Sequence, residues 1–142
     1  MKVILVNLIF GLITLLFAND SSGFIKKLNG EVNILRDSKV ITAKIGDKIF
    51  EKDTIKTNQK SSVGIIFKDN TLISLGSNTE FDIEEYFFEP AQKKQSFISQ
   101  IKKGTMTCLT GLMSKLNPDA MKIKAKGATI GIRGTHFSVS VD

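Results

Sequence analysis

Cysteine and histidine occur once each in this chain, as Cys108 and His136. A single thiol rules out a disulfide within one chain, and with it the small stapled domains common among exported proteins. A lone imidazole with no cysteine or aspartate at ligand spacing is not a metal site. No Asp-x-Asp-x-Asp loop offers a calcium cradle. No Lys-Ser/Thr pair follows the glycines near the C-terminus, and no helix begins there, which excludes a phosphate loop. Past residue 18, no stretch of about ten residues keeps a helical apolar period. Nor is any later run apolar enough for a bilayer span of about 20 residues. No low-complexity segment or linker divides the remainder, so the length suits one domain with a modest core.

What is present begins with a leader. Met1 and Lys2 precede an apolar run from Val3 to Ala18, and polarity starts abruptly at Asn19-Asp20-Ser21-Ser22-Gly23. A basic start, a short apolar core and a small final residue read as a secretory signal peptide over residues 1–18, with Ala18 the last residue removed; an uncleaved N-terminal anchor is the alternative. The formal net charge of +6 falls to +5 without Lys2. That excess is mild and spread along the chain, so it does not indicate a nucleic-acid partner.

Residues 24–142 read as a series of short strands. Apolar-rich runs are separated by turn residues at close intervals: Asn29-Gly30, Arg36-Asp37-Ser38, Ile45-Gly46-Asp47, Lys68-Asp69-Asn70-Thr71 and Gly76-Ser77-Asn78. Val63, Ile65 and Phe67 alternate in register, and Thr79, Phe81 and Ile83 oppose Glu80, Asp82 and Glu84. Residues 84–96 are less regular, with a polar loop at Gln92–Gln95. Phe97–Ile101 reads as a strand closed by Lys102-Lys103-Gly104, and Thr105–Leu109 as another. Gly111–Leu116 suits one helical turn. The pattern predicts an all-β domain of many short strands in a sandwich, a roll or a short β-helix, preceded by the hydrophobic signal helix.

The last strand is the most distinctive. Gly131 and Gly134 bracket Ile132-Arg133 and allow a bend. Thr135, Phe137, Val139 and Val141 then face one way, and His136, Ser138 and Ser140 the other. Arg133 suits a structural lock on that bend, bonding carbonyls or a nearby carboxylate; the alternative is an anion contact through its planar fork. His136 falls on the solvent side. Cys108, beside Met106 on one strand face, reads as a small buried hydrophobe.

Three groups invite a functional reading. Asp82 and Glu84 share a strand face like a glycosidase pair, but alternate with Phe81 and Ile83 and so read as solvated. Lys122, Lys124 and Lys126 form a basic stripe that also guards against edge pairing. Tyr86 and Phe88 share one strand face and Phe87 takes the other, so this segment is either buried on both sides or exposes an aromatic patch. No catalytic residue, metal ligand or cofactor-binding residue emerges.

Taken in order, Gly30-Glu31-Val32, Ile45-Gly46-Asp47-Lys48-Ile49, Asp53-Thr54-Ile55-Lys56-Thr57, Ser61–Thr71, Phe81-Asp82-Ile83, Lys103-Gly104-Thr105 and Gly131-Ile132-Arg133-Gly134-Thr135-His136-Phe137 resemble the FecR domain. The resemblance covers roughly residues 24–141, and implies that Gly131, Arg133, Gly134, Thr135 and Phe137 form its structural motif. In the iron regulators of that family the domain lies in the periplasm, senses an outer-membrane receptor and signals through a membrane helix to a cytoplasmic segment controlling a sigma factor. Here the apolar run starts at residue 3, so the expectation is a stand-alone exported member without that segment. Relatives usually continue past the Arg-Gly-Thr strand, so a C-terminal edge open at Asp142, or a truncated domain, is expected. The resemblance implies a non-catalytic periplasmic sensing or adaptor module whose partner is another cell-envelope protein, met by edge-strand addition or by Tyr86, Phe87 and Phe88. The alternative is a structural or polysaccharide-binding module using Lys122, Lys124 and Lys126.

Overall fold

The computed structural model describes residues 20–132 and 135–142; the leader expected over residues 1–18 lies outside them. Twelve strands are present among the described residues: β1 (Gly23–Asn29), β2 (Val32–Arg36), β3 (Lys39–Thr42), β4 (Lys48–Ile49), β5 (Thr54–Thr57), β6 (Ser62–Phe67), β7 (Leu72–Leu75), β8 (Glu80–Glu89), β9 (Lys94–Leu109), β10 (Met121–Ala125), β11 (Ala128–Gly131) and β12 (His136–Val141). One short helix, α1 (Leu112–Leu116), follows β9. The expected all-β class is what the chain adopts: one sheet curled into a half-barrel.

β9 organises that sheet. Its first part pairs antiparallel with β8 and parallel with β10, and its last part pairs antiparallel with β7 and β12. One half therefore runs β4-β1-β6-β7-β9-β12, the other β3-β2-β5-β8-β9-β10-β11. The exchange happens at Gly104, which pairs with Val141 while Lys103 still pairs with Glu80. Gly104 has φ +96°, and a Cβ there would sit 2.5 Å from Thr79 Cα. Only glycine tolerates both conditions. The two strands expected at Phe97–Ile101 and Thr105–Leu109 are thus one, because the glycine bends the backbone without ending it.

Hydroxyls complete the corner. Thr79 Oγ1 accepts from the Thr105 amide at 3.1 Å, and the Gly76 amide donates to the Thr105 carbonyl at 3.0 Å. The Thr79 amide in turn donates to Thr57 Oγ1 at 2.9 Å. Thr57 and Thr79 are both buried. Their small polar side chains satisfy backbone groups that the bend removes from the regular ladder.

Alternation builds the core between the halves. Ile25, Ile65, Ile73, Leu75 and Met106 face inward from one half, and Ile34, Ile55, Phe81, Ile83, Phe97 and Ile101 from the other. The segment expected to be irregular, 84–96, is a hairpin joined by a 3-10 turn at Pro90–Gln92. A bulge between Ile83 and Glu85 resets the alternation there, so that Tyr86 follows Ile83 into the core. Tyr86 packs edge-on to Phe97 with centroids 4.9 Å apart, and Phe67 of the opposite half lies 4.6 Å from Phe97. Asn29-Gly30 also behaves unlike a hairpin turn: β1 pairs with β4 and β6, and β2 with β3 and β5, so the chain passes there from one half to the other.

Replacing Gly104 with Val adds left-handed strain of about 1–3 kcal/mol and overpacking of about 1–3 kcal/mol. Urea unfolding of Gly104→Val is expected to show a midpoint lowered by an amount matching about 2–6 kcal/mol, whereas the open turn glycine in Gly46→Asn should cost far less.

Candidate interaction site

Of the three aromatics, Tyr86 belongs to the core and does not form a surface. It is buried, and its hydroxyl donates to Asp69 Oδ1 at 3.0 Å while accepting from the Asp69 amide at 3.1 Å. Burial first, and the nearby Asp69 second, push its phenol well above the usual tyrosine range. Phe88 is half-buried against the core, and Phe87 is 39% exposed. All three line a small cleft of about 160 Å³ with Lys68, Glu51 and Glu89. The segment thus presents one ring, Phe87, to solvent.

Asp69 is a hub that sequence reading took for a simple turn residue. It is 0% exposed. Its Oδ2 accepts from Thr71 Oγ1 at 2.7 Å and the Met113 amide at 3.2 Å, and Oδ1 accepts from the Thr71 amide at 3.2 Å as well as from Tyr86. Its carbonyl accepts from the Leu112 amide at 2.7 Å. One side chain thereby fixes the β6–β7 turn, β8 and α1. The second buried carboxylate is Asp53, 1% exposed, held by both prongs of Arg36 at 2.8 Å each and by the Phe50 amide at 2.8 Å. The Arg36 guanidinium lies 4.6 Å from the Phe50 ring centroid. The sequence shows only an acidic residue in each of two polar turns and an arginine at a strand end.

The outer face of β8 is an ion-pair ladder. Glu80 faces Lys56 at 3.7 Å and Lys102 at 3.9 Å, Asp82 faces Lys102 at 3.2 Å, and Glu84 faces Lys124 at 2.8 Å. Asp82 also accepts from Thr54 Oγ1 at 2.7 Å. The hydrogen bond that its ammonium donates to Asp82 holds Lys102 above its usual range. Asp82 and Glu84 lie on an outer face, partly covered by the lysines they pair with. Their side chains are occupied by neighbouring strands, so they do not converge as an acid and a nucleophile. The basic stripe is likewise broken: Lys124 is tied to Glu84, Lys122 is exposed on β10, and Lys126 lies in the β10–β11 turn at φ +46°. Among the described residues, no group of three or more His, Cys, Asp or Glu is placed to hold a metal. No helix among them is long and apolar enough to cross a membrane.

In the C-terminal motif, Arg133 and Gly134 lie outside the described residues. Gly131 ends β11, and Ile132 is buried. Thr135 was expected on the inner face with Phe137, but it is exposed. It precedes β12, and its carbonyl accepts from the Thr110 amide at 2.9 Å, so the alternation begins only at His136. Phe137 and Val139 pack against the core, and His136, Ser138 and Ser140 face out as expected. Among the described residues β12 pairs with β9 alone. Cys108 is fully buried; burial first, and Asp69 second, push its thiol up to about 12.

An all-β chain with this corner and this order of motifs matches the family model for the FecR protein over residues 53–142, and the chain belongs to that family. The match begins at Asp53, so β1 to β4 lie ahead of it. Among solved structures, a cell surface anchoring domain is 34% identical with a TM-score of 0.42, covering 43% of this chain and 82% of that one. No curated protein matches the chain.

Asp69→Ala strands buried donors of Thr71, Tyr86 and Met113, at about 1–3 kcal/mol each. Unfolding is expected to show a loss of about 3 kcal/mol or more, against less than about 1 kcal/mol for Lys56→Ala. Cys108 gives a pH test. The fold raises its pKa from 9.0 to about 12, so above pH 9 the native state keeps a proton that the unfolded chain loses. Stability is then full below pH 9 and falls as pH rises toward 12. The urea midpoint measured from pH 8 to 11 is expected to decline, and less steeply in Cys108→Ala.

Proposed function

We propose that this FecR-family chain is a non-catalytic, exported module that works by protein–protein contact in the cell envelope, as a sensing or adaptor element of the periplasm. The leader read at residues 1–18 supports export, with residues 24–142 as the exported domain. One observation carries the binding role. The ionisable groups that chemistry would need are committed within the fold, Asp69 and Asp53 to buried hydrogen bonds and Glu80, Asp82 and Glu84 to lysines, while apolar side chains such as Phe87 stand exposed. Binding surfaces are built from such side chains, set on a rigid sheet.

The polysaccharide reading rests on Lys122, which borders a cleft of about 330 Å³ with Pro118, Met121 and Ile132. The pairing of Lys124 with Glu84 leaves that surface fewer free cations than the sequence stripe suggested.

Crosslinking in intact cells, followed by capture of the tagged chain, separates these readings. An adaptor is expected to bring down the same envelope protein from wild type and from Lys122→Glu. Capture of no protein, together with salt-sensitive glycan binding lost in Lys122→Glu, would favour the alternative.

A further inference from the structure

Strand register lines up Lys48, Phe24, Ile66, Leu72, Leu109 and His136 as successive cross-strand neighbours on the outer face of the β4-β1-β6-β7-β9-β12 half. Their chain neighbours Ile25, Ile65, Ile73 and Cys108 point into the core. At about 4.8 Å per strand, Phe24 and Leu109 lie roughly 14 Å apart with Ile66 and Leu72 between them. Phe24 is 47% exposed and Leu109 45%. The next row on this face is Lys27, Gly64, Ser74, Thr107 and Ser138, so apart from Lys27 on β1 the side chains beside the apolar band are small and uncharged. The opposite half presents the lysine–carboxylate ladder instead.

One end of the band is cationic. A cleft of about 350 Å³ opens beside Phe24, Ile66 and Phe67, and Lys48 and Lys68 line it with no carboxylate among its walls. The backbone sets these lysines on either side of the start of β1: Ser22 donates to the Ile49 carbonyl at 2.7 Å and accepts from the Lys68 amide at 2.9 Å. Neither ammonium makes an ion pair among the described residues. Asp47, beside Lys48, is turned onto the Lys44 amide at 2.8 Å, while Asp20, Glu51 and Glu89 lie with Lys68 in the neighbouring cleft.

We infer that this band is a docking site for an extended, acidic-ended apolar segment of a partner protein. The inference rests on the protein-contact reading and names its surface. Side chains two apart in an extended chain are about 6.6 Å apart, so three alternate apolar residues span roughly 13 Å, the length of the band. A glutamate or aspartate two positions further falls at the Lys48–Lys68 cleft, where charge complementarity fixes direction. A second copy of this chain would bring the same lysines and suits the cleft poorly.

The test uses the isotopically labelled full chain and two synthetic peptides, Leu-Ser-Leu-Ser-Leu-Ser-Glu and its twin ending in Lys, both with blocked termini. The Glu peptide is expected to shift the amide resonances of residues 24, 66, 72 and 109 saturably. Lys48→Glu or the Lys twin is expected to weaken binding about tenfold, and Leu109→Ser to weaken it comparably. Both lysine and leucine positions are exposed, and an unchanged unfolding midpoint verifies each variant. Equal binding of the two peptides, shifts confined elsewhere, or concentration-dependent shifts of the band without peptide (a second copy occupying it) would overturn the inference. In cells, equal capture of the partner by Phe24→Ser, Leu109→Ser and wild type would overturn this surface and leave the protein-contact reading standing. Capture of none by wild type would overturn that reading itself.

Discussion

The bend of β9 at Gly104 is the constraint on which the rest of this molecule depends. A strand that ran straight would complete one half of the sheet and leave the other without its central member. Because the backbone turns where Thr79 fills the space a side chain would need, β8 and β10 flank one end of β9 while β7 and β12 flank the other. The two halves are then covalently one strand at their junction. Neither buries its inner face without the other, so the core and the corner form together.

The bend also divides the surface electrostatically. One outer face carries the alternating acids of β8 against lysines of β5, β9 and β10. Exposed pairs of this kind add little stability individually, about 0–1 kcal/mol each, but they cover the face with charge and discourage association there. The other outer face is short and partly apolar, and its charges are lysines carried on or beside β1. Two faces of the same sheet thus have opposite tendencies toward partners, set by which residues alternate outward on each half.

Much of the fold was legible because period-two alternation is a local property. Phe81 and Ile83, Met106 and Cys108, and Phe137 and Val139 all turn inward as their spacing demands. Less legible was anything decided by contacts distant in the chain. Lys102-Lys103-Gly104 reads as a stop until Thr79 is known to occupy the inside of the bend. Whether Tyr86 is buried or joins a surface patch stays open in the sequence until the bulge after Ile83 is placed. Asp69 reads as a turn residue, since nothing nearby reveals that Tyr86 and Met113 meet it. The docking band was illegible for the same reason: its members come from different strands, and only the pairing register sets them in one row. Arg133 and Gly134, the centre of the most distinctive sequence motif, fall outside the described residues.

Asp69 has a consequence for motion. Helix α1 is five residues long, too short to persist in water by its own backbone bonds. Its first amides instead hang from a carbonyl and a carboxylate supplied by the turn between β6 and β7. The helix therefore borrows its persistence from that turn, and its amide protons should exchange with solvent at the pace of the turn's opening, independent of ordinary fraying at a helix end.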